Sequence, residues 1–150
     1  MTISISPISF DVILPLWHQL WPVRQSKIEE TSWMLFKGGY CKELPPPAIF
    51  FGLFLNDQLI GCNSVHAVED SSVRSRGLFV LPKHRKVGYG EYVLKHSRDY
   101  FLDEYPSRTL VWSFARSTSV QTYLRCGFRI EGDEVVNDDI QETNYWVIMP

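Results

Sequence analysis

Between Leu78 and Gly90 the sequence reads LFVLPKHRKVGYG, an apolar strand, a proline break and the run Arg85-Lys86-Val87-Gly88-Tyr89-Gly90 directly before a helical pattern. A helix start offers about four unpaired backbone N–H groups and the positive end of the macrodipole. Glycines at such a start let the main chain come close to a phosphate. Lys83, Arg85 and Lys86 add local positive charge. The chemistry this segment suits is anion binding, and a pyrophosphate is the natural ligand of such a loop.

Two common phosphate loops do not fit. No G-x-x-x-x-G-K-[S/T] string occurs. The stretch Gly88-Tyr89-Gly90-Glu91-Tyr92-Val93 lacks the third glycine of a dinucleotide fingerprint, and its strand lies mid-chain after a hairpin. What remains resembles the R-x-x-G-x-G/A pyrophosphate loop of the GNAT superfamily of N-acetyltransferases, including the Val-x-Pro strand exit at Val80-Leu81-Pro82. A second motif supports the resemblance independently. In that superfamily the strand after the long helix leads into a short helix bearing a tyrosine, followed four and five residues later by Gly-Phe; here these are Tyr123, Gly127 and Phe128. One departure concerns a position seven residues before the tyrosine, where many members carry Asn and this chain has Arg116.

The resemblance implies acetyl-CoA as co-substrate. The backbone of Phe79 and Val80 would pair with the pantetheine arm, and Arg85, Lys86, Val87, Gly88, Tyr89 and Gly90 would hold the pyrophosphate. Gly77 is placed for the bulge that splays two strands to admit that arm. The implied reaction is direct attack of a neutral amine on the thioester, with a main-chain N–H near Val80 polarising the carbonyl and Tyr123 facing the departing sulfur. With a phenol pKa of about 10 and a thiol pKa of about 8.5, full proton transfer is uphill by roughly 2 kcal/mol, so a modest hydrogen-bond donor is expected. Packing of the helix alone is the competing role for Tyr123.

His66, Glu69 and Asp70, at the end of the preceding hairpin, are weak candidates for the base, because a strand histidine is more often structural and turn carboxylates are usually solvated. His18, His84 and His96 show no metal-ligand spacing, and no metal is expected. Arg74 and Arg76 share a strand face, and Arg116 stands at the mouth of the neighbouring strand; together they suit an acceptor amine carrying an acidic group, since arginine forks bind carboxylates. Pairing with nearby carboxylates is the simpler role for the first two.

These residues need a scaffold. Helical spacing of Phe10, Ile13, Leu14, Trp17, Leu20 and Trp21 marks one helix, and a capping box at Ser26 with Gly38-Gly39 bounds a second over 27–37. Trp17, Trp21 and Trp33 are core candidates on this pair. IFFGLFL, the turn Asn56-Asp57 and QLIGCNSVHAV read as a hairpin, and VRSRGLFVL as a third strand. After Gly88 an amphipathic helix runs to Pro106, TLVWSFA is a buried strand, and Thr118-x-x-Gln121 opens a last helix ending at Cys126-Gly127. Residues 128–136 and 144–149 supply two more strands. The expected architecture is one α/β (α+β) domain over 1–150, a central mixed, mostly antiparallel sheet of six or seven strands with about four helices.

The chain has 150 residues, and its 15 basic against 17 acidic side chains give a formal charge of -2. That balance provides no general attraction to nucleic acid or anionic membrane, so an anion site must be local. Three widely spaced cysteines indicate neither a disulfide framework nor a zinc site. No apolar run reaches the roughly 20 residues of a membrane span, and no export signal is visible at Met1, so a cytoplasmic protein is expected. The reading is an acetyl-CoA-dependent N-acetyltransferase acting on a small-molecule amine, with monomer and homodimer both open. The alternatives are a non-catalytic acyl-CoA-binding module and an acetyltransferase of proteins or peptides.

Overall fold

In a computed structural model, residues 1–21, 48–67, 72–108, 110–137 and 142–149 are described. The expected helix over 27–37, Trp33, and the turn carboxylates Glu69 and Asp70 lie outside them. The elements are β1 (Ile3–Ile8), α1 (Phe10–Leu20), β2 (Ile49–Leu55), β3 (Gln58–Ala67), β4 (Val73–Val80), a 3-10 turn (Pro82–His84), α2 (Tyr89–Glu104), β5 (Val111–Arg116), α3 (Val120–Arg125), β6 (Arg129–Ile130), β7 (Val135–Asn137) and β8 (Glu142–Met149). The strands form one sheet in the order β1-β2-β3-β4-β5-β8-β6, with β7 also paired to β8. Every pairing is antiparallel except β4 with β5. A parallel pair needs a long crossover, and α2 supplies it.

The fold class is as expected, with eight strands rather than six or seven and three α-helices among the described residues. The additional first strand is legible in hindsight, because Ile3 and Ile5 alternate with serines at the period of a strand. Its Pro7 is tolerated because β1 is an edge strand. The last segment divides into β6 and β7 around Gly132, whose φ of +76° turns the chain out of extended geometry.

Strand alternation sends neighbouring residues to opposite faces. Phe50 packs with Ile13, Leu16, Trp17 and Leu20 of α1, whereas Phe51 joins Leu94, Phe101, Val111 and Val147 beneath α2 and α3. Burying each such side chain stabilises the fold by about 1.5–3 kcal/mol. The hairpin turn is as expected, with Asn56 and Asp57 both at positive φ and Leu55 opposite Gln58.

The feature that shapes the cleft lies on β4. Cys62 pairs with Phe79 and Ser64 with Arg76, so Gly77 and Leu78 face the single residue Asn63 across a bulge. Gly77 adopts φ +77°, and a Cβ there would lie 2.3 Å from Trp17 Nε1. That indole donates to the Gly77 carbonyl at 3.1 Å. Only glycine satisfies both the left-handed backbone and the close approach of the tryptophan.

β4 and β5 pair only through Val73–Val111 and Arg74–Trp112. Beyond that point the strands diverge.

Candidate active site

The divergence of β4 and β5 opens a cavity of about 850 Å³, lined by Val80, Arg85, Gly88, Arg116, Ser119 and Arg125 among others. This volume lies within the range of small-molecule and cofactor sites, about 300–1,000 Å³. The lining brings Arg85, Lys86, Arg116 and Arg125 together against one carboxylate, Glu91, which is itself paired with Arg125. A chain of formal charge -2 therefore presents a locally cationic cleft.

The loop between β4 and α2 has the geometry that its sequence requires. Lys86 and Gly88 hold φ +66° and +93°, and the first internal bond of α2 runs from Tyr92 N–H to the Gly88 carbonyl at 3.0 Å. The N–H groups of Tyr89, Gly90 and Glu91 thus precede the helical ladder and lie at its positive end. Nothing stands within 4 Å of the position a Gly88 Cβ would take. Gly90 serves a different purpose: a Cβ there would lie 3.3 Å from Thr122 Cγ2, so it allows α3 to approach α2. Val87 is 67% exposed and does not line the cavity.

The two strand residues expected to pair with a ligand separate by register. Leu81 N–H donates to the Ile60 carbonyl, so strand alternation turns the Phe79 main chain toward β3 and that of Val80 toward the cleft. The Phe79 backbone is therefore engaged within the sheet. The Val80 carbonyl accepts from Arg85 Nε at 2.7 Å, and the guanidinium lies 5.1 Å from the centre of the Phe79 ring. That fold-back fixes the strand end and leaves the Val80 N–H as its cleft-facing donor.

Tyr123 reaches the apex of the same divergence from α3. Phe128 N–H donates to the Tyr123 carbonyl and Gly127 N–H to that of Leu124, with Gly127 at φ +94°. These are the two bonds of a Schellman motif, whose usual apolar contact is made by the Tyr123 and Phe128 rings, edge to face at 5.1 Å. The Tyr-Gly-Phe spacing is thus a helix-ending device that fixes the tyrosine. Its hydroxyl lies 3.1 Å from Ser113 Oγ and 3.3 Å from Ser75 Oγ, one residue past the last β4–β5 pair. Burial pushes the phenol pKa up, opposed by hydrogen bonds from Ser113 and Ser75 and by the charge of Arg74, so the group is protonated at neutral pH. Tyr123 does not line the cavity, although Thr122 and Ser119 do.

Residues 46–130 match the family model described as the acetyltransferase (GNAT) domain. The chain belongs to the GNAT acetyltransferase family. Its fold is shared with solved structures at low sequence identity. Escherichia coli ribosomal-protein-S18-alanine N-acetyltransferase is 14% identical with a TM-score of 0.67, over 99% of this chain and 94% of that one. A spermidine N-acetyltransferase chimera from Vibrio cholerae and a second source is 15% identical with a TM-score of 0.68, over 99% and 95%. An aminoglycoside 6'-N-acetyltransferase solved with coenzyme A is 16% identical with a TM-score of 0.68, over 97% and 96%. No curated protein sequence matches the chain significantly.

Within this GNAT domain the three arginines expected near the acceptor are not equivalent. Only Arg116 lines the cavity, and it donates to the Leu20 carbonyl at 2.8 Å, tying β5 to the C-terminal end of α1. A cation at that helix end is favourable, which gives Arg116 a structural role on the site of the frequent asparagine. Arg74 and Arg76 are 3% and 6% exposed, with their guanidinium groups 5.0 Å from the Trp112 ring and 5.6 Å from the Trp21 ring. Burial lowers the Arg74 pKa to about 10, which leaves it charged at neutral pH.

His66 is fully buried opposite Arg74. Burial, then the charges of Arg74 and Arg76, push its pKa down to about 3, so it is a poor acceptor of a proton from an ammonium group. Ser75, Ser113, Asn63 and Ser97 belong to no motif of the sequence. The available signal was their position, since each is a polar residue at an inward-facing place of an apolar strand or helix. Among the described residues no helix is long and apolar enough to cross a membrane.

Proposed function

We propose that residues 1–150 act as one catalytic unit that transfers the acetyl group of acetyl-CoA to the primary amine of a small molecule by direct attack. The observation that carries this reading is the cationic cleft lined by Val80, Arg85, Gly88 and Arg116. The pyrophosphate would lie on the N–H groups from Gly88 to Gly90, beside Arg85 and Lys86, where Gly88 leaves room. The Val80 N–H faces the pantetheine and thioester side and would polarise the acyl carbonyl as it becomes an oxyanion. Tyr123 would donate its proton to the departing sulfur.

No buried base is assigned. With His66 held neutral, the acceptor ammonium would lose its proton to water before attack. Arg116 is the one cavity-lining arginine of the three, so it, rather than Arg74 or Arg76, would meet an acidic group on the acceptor. The solved relatives that act on spermidine and on an aminoglycoside support a small polar amine as acceptor, whereas the S18-alanine enzyme represents the protein-directed alternative.

The deciding experiment is steady-state release of CoA with a broad panel of amines and peptides. Turnover with small amines supports the proposal. Binding of acetyl-CoA without any turnover would identify a non-catalytic acyl-CoA module, and turnover restricted to peptides would identify a protein acetyltransferase.

A further inference from the structure

The Tyr123 hydroxyl is the end of a buried chain of polar groups that joins five elements. Asn63 Nδ2 on β3 donates to Ser75 Oγ on β4 at 2.9 Å and to Ser97 Oγ on α2 at 2.9 Å. Ser97 passes its own proton to the Val93 carbonyl at 2.7 Å. Ser113 Oγ on β5 lies 2.7 Å from the Ser75 carbonyl and 3.1 Å from the Tyr123 hydroxyl on α3. Asn63, Ser75, Ser97 and Ser113 are each no more than 4% exposed. A polar cluster so deep in an apolar core costs stability unless every member is satisfied, and apolar residues would fill the same space more cheaply.

Donor accounting gives the chain a direction. Ser113 Oγ donates toward both the Ser75 carbonyl and the Tyr123 oxygen, so its single proton is shared between two acceptors. The Tyr123 proton then has Ser75 Oγ as its acceptor. Both hydrogens of Asn63 Nδ2 are committed to serines, which leaves the Ser75 proton to choose between Asn63 Oδ1 and the Tyr123 oxygen, each at 3.3 Å. The phenol is thus held by two hydroxyls, Ser113 as a donor and Ser75 in either role.

We propose that Ser75 and Ser113 are positioning residues that allow Tyr123 to release its proton, anchored by Asn63 and Ser97. The inference rests on the reading of Tyr123 as the acid. As the amine nitrogen bonds to the acyl carbon, the carbon–sulfur bond breaks with its electron pair on sulfur, and the Tyr123 proton follows to form the thiol. The phenolate left behind is buried and would be costly. Ser113 already donates toward that oxygen, and Ser75 turns its proton from Asn63 Oδ1 to donate as well, so two hydrogen bonds meet the new charge. The proton lost by the amine nitrogen returns the phenolate to phenol through water. The adjacent Arg74 charge acts in the same direction, because it favours the ionised phenol.

The test is a double-mutant cycle on turnover. Ser113→Ala and, separately, Ser75→Ala are measured with Tyr123 present and in the Tyr123→Phe background. A hydrogen bond to a charged group is worth tenfold or more in rate, so each serine variant should lower kcat by about tenfold with the KM for acetyl-CoA nearly unchanged. In the phenylalanine background the same variants should change kcat less than twofold, since no phenolate forms. Equal losses in both backgrounds would overturn the proposal and leave the serines as packing groups. Wild-type turnover in Tyr123→Phe alone would instead overturn the acid assignment, and the serine proposal with it. Should Ser113→Ala not fold, the Ser75→Ala arm carries the same comparison.

Discussion

The loop at Arg85–Gly90 and the helix end at Tyr123–Phe128 each turn on a left-handed glycine, Gly88 at φ +93° and Gly127 at φ +94°. The surroundings of the two differ. Gly88 has no atom within 4 Å of a built Cβ, whereas Gly127 has Met149 Sδ at 3.4 Å and completes two backbone bonds that end α3. The same backbone conformation therefore meets two needs. One glycine leaves open space beside the loop, and the other closes a helix so that the Tyr123 ring is seated on Phe128. Sequence motifs that include glycine can record either demand, and only the environment distinguishes them.

Asparagine tolerates the left-handed region, so it can be placed at either glycine to test this contrast. Ligand at about 100 times its dissociation constant stabilises a protein by roughly 2.7 kcal/mol. Acetyl-CoA should give the wild type a thermal shift of that origin. Gly88→Asn should remove the shift while leaving the apo melting temperature nearly unchanged, because its side chain enters the ligand's space. Gly127→Asn should keep the shift. The reverse pattern would mean that the loop is not the pyrophosphate site.

A second variant separates the ring of Tyr123 from its hydroxyl. Tyr123→Phe preserves the contact with Phe128 and should lower kcat by about a hundredfold, the lower end of general acid catalysis, with little change in acetyl-CoA affinity. Unchanged turnover would assign the whole Tyr-Gly-Phe motif to helix termination.

Much of this contrast was legible in the chain. The strand, proline break, cationic loop and helix start are contiguous, so local rules place this segment without tertiary information. The Tyr123, Gly127 and Phe128 spacing was equally visible and Gly127 read as a helix end, although the seating of Tyr123 on Phe128 was not, because a Schellman motif is recognised by its bonds. The serine chain was hidden for another reason. Ser75, Ser113, Asn63 and Ser97 are far apart in sequence, and the Gly77 bulge changes which β4 residues share a face, so parity along VRSRGLFV does not carry through. Thus Phe79 packs on the α1 side while Leu78 packs on the other.

Charge sharpens the comparison on a different axis, since Arg85 and Lys86 stand at an exposed loop while His66 is buried beneath arginines. His66 has a folded pKa of about 3 against an ordinary value of 6.5, so folding favours its neutral form. Its contribution is fully present above pH about 6.5 and is lost as the pH falls toward 3, at up to about 1.4 kcal/mol per pH unit. Denaturant unfolding between these pH values should show that slope, and His66→Gln should flatten it. A parallel slope in the variant would place the titration elsewhere.

The smallest effect is expected at Arg116, which lies between the two motifs and serves both structure and site. Its Nη1 donates to the Leu20 carbonyl, so the guanidinium is shared with the fold. Loss of the side chain also removes a favourable cation from the end of α1, which should lower stability by about 0.3–1 kcal/mol. A partly exposed pairing of the guanidinium with a carboxylate is worth about 1 kcal/mol, or roughly fivefold in kcat/KM. Matched amines with and without a carboxylate, compared in wild type and Arg116→Ala, measure this term apart from the stability loss, because each enzyme serves as its own control. The expected outcome is a preference of several fold for the acidic amine that disappears in the variant. A preference that survives the substitution would locate acceptor recognition away from Arg116, leaving it as the tie between β5 and α1. No preference in the wild type would remove the acidic acceptor itself, and the cationic cleft would then serve the phosphates of acetyl-CoA alone.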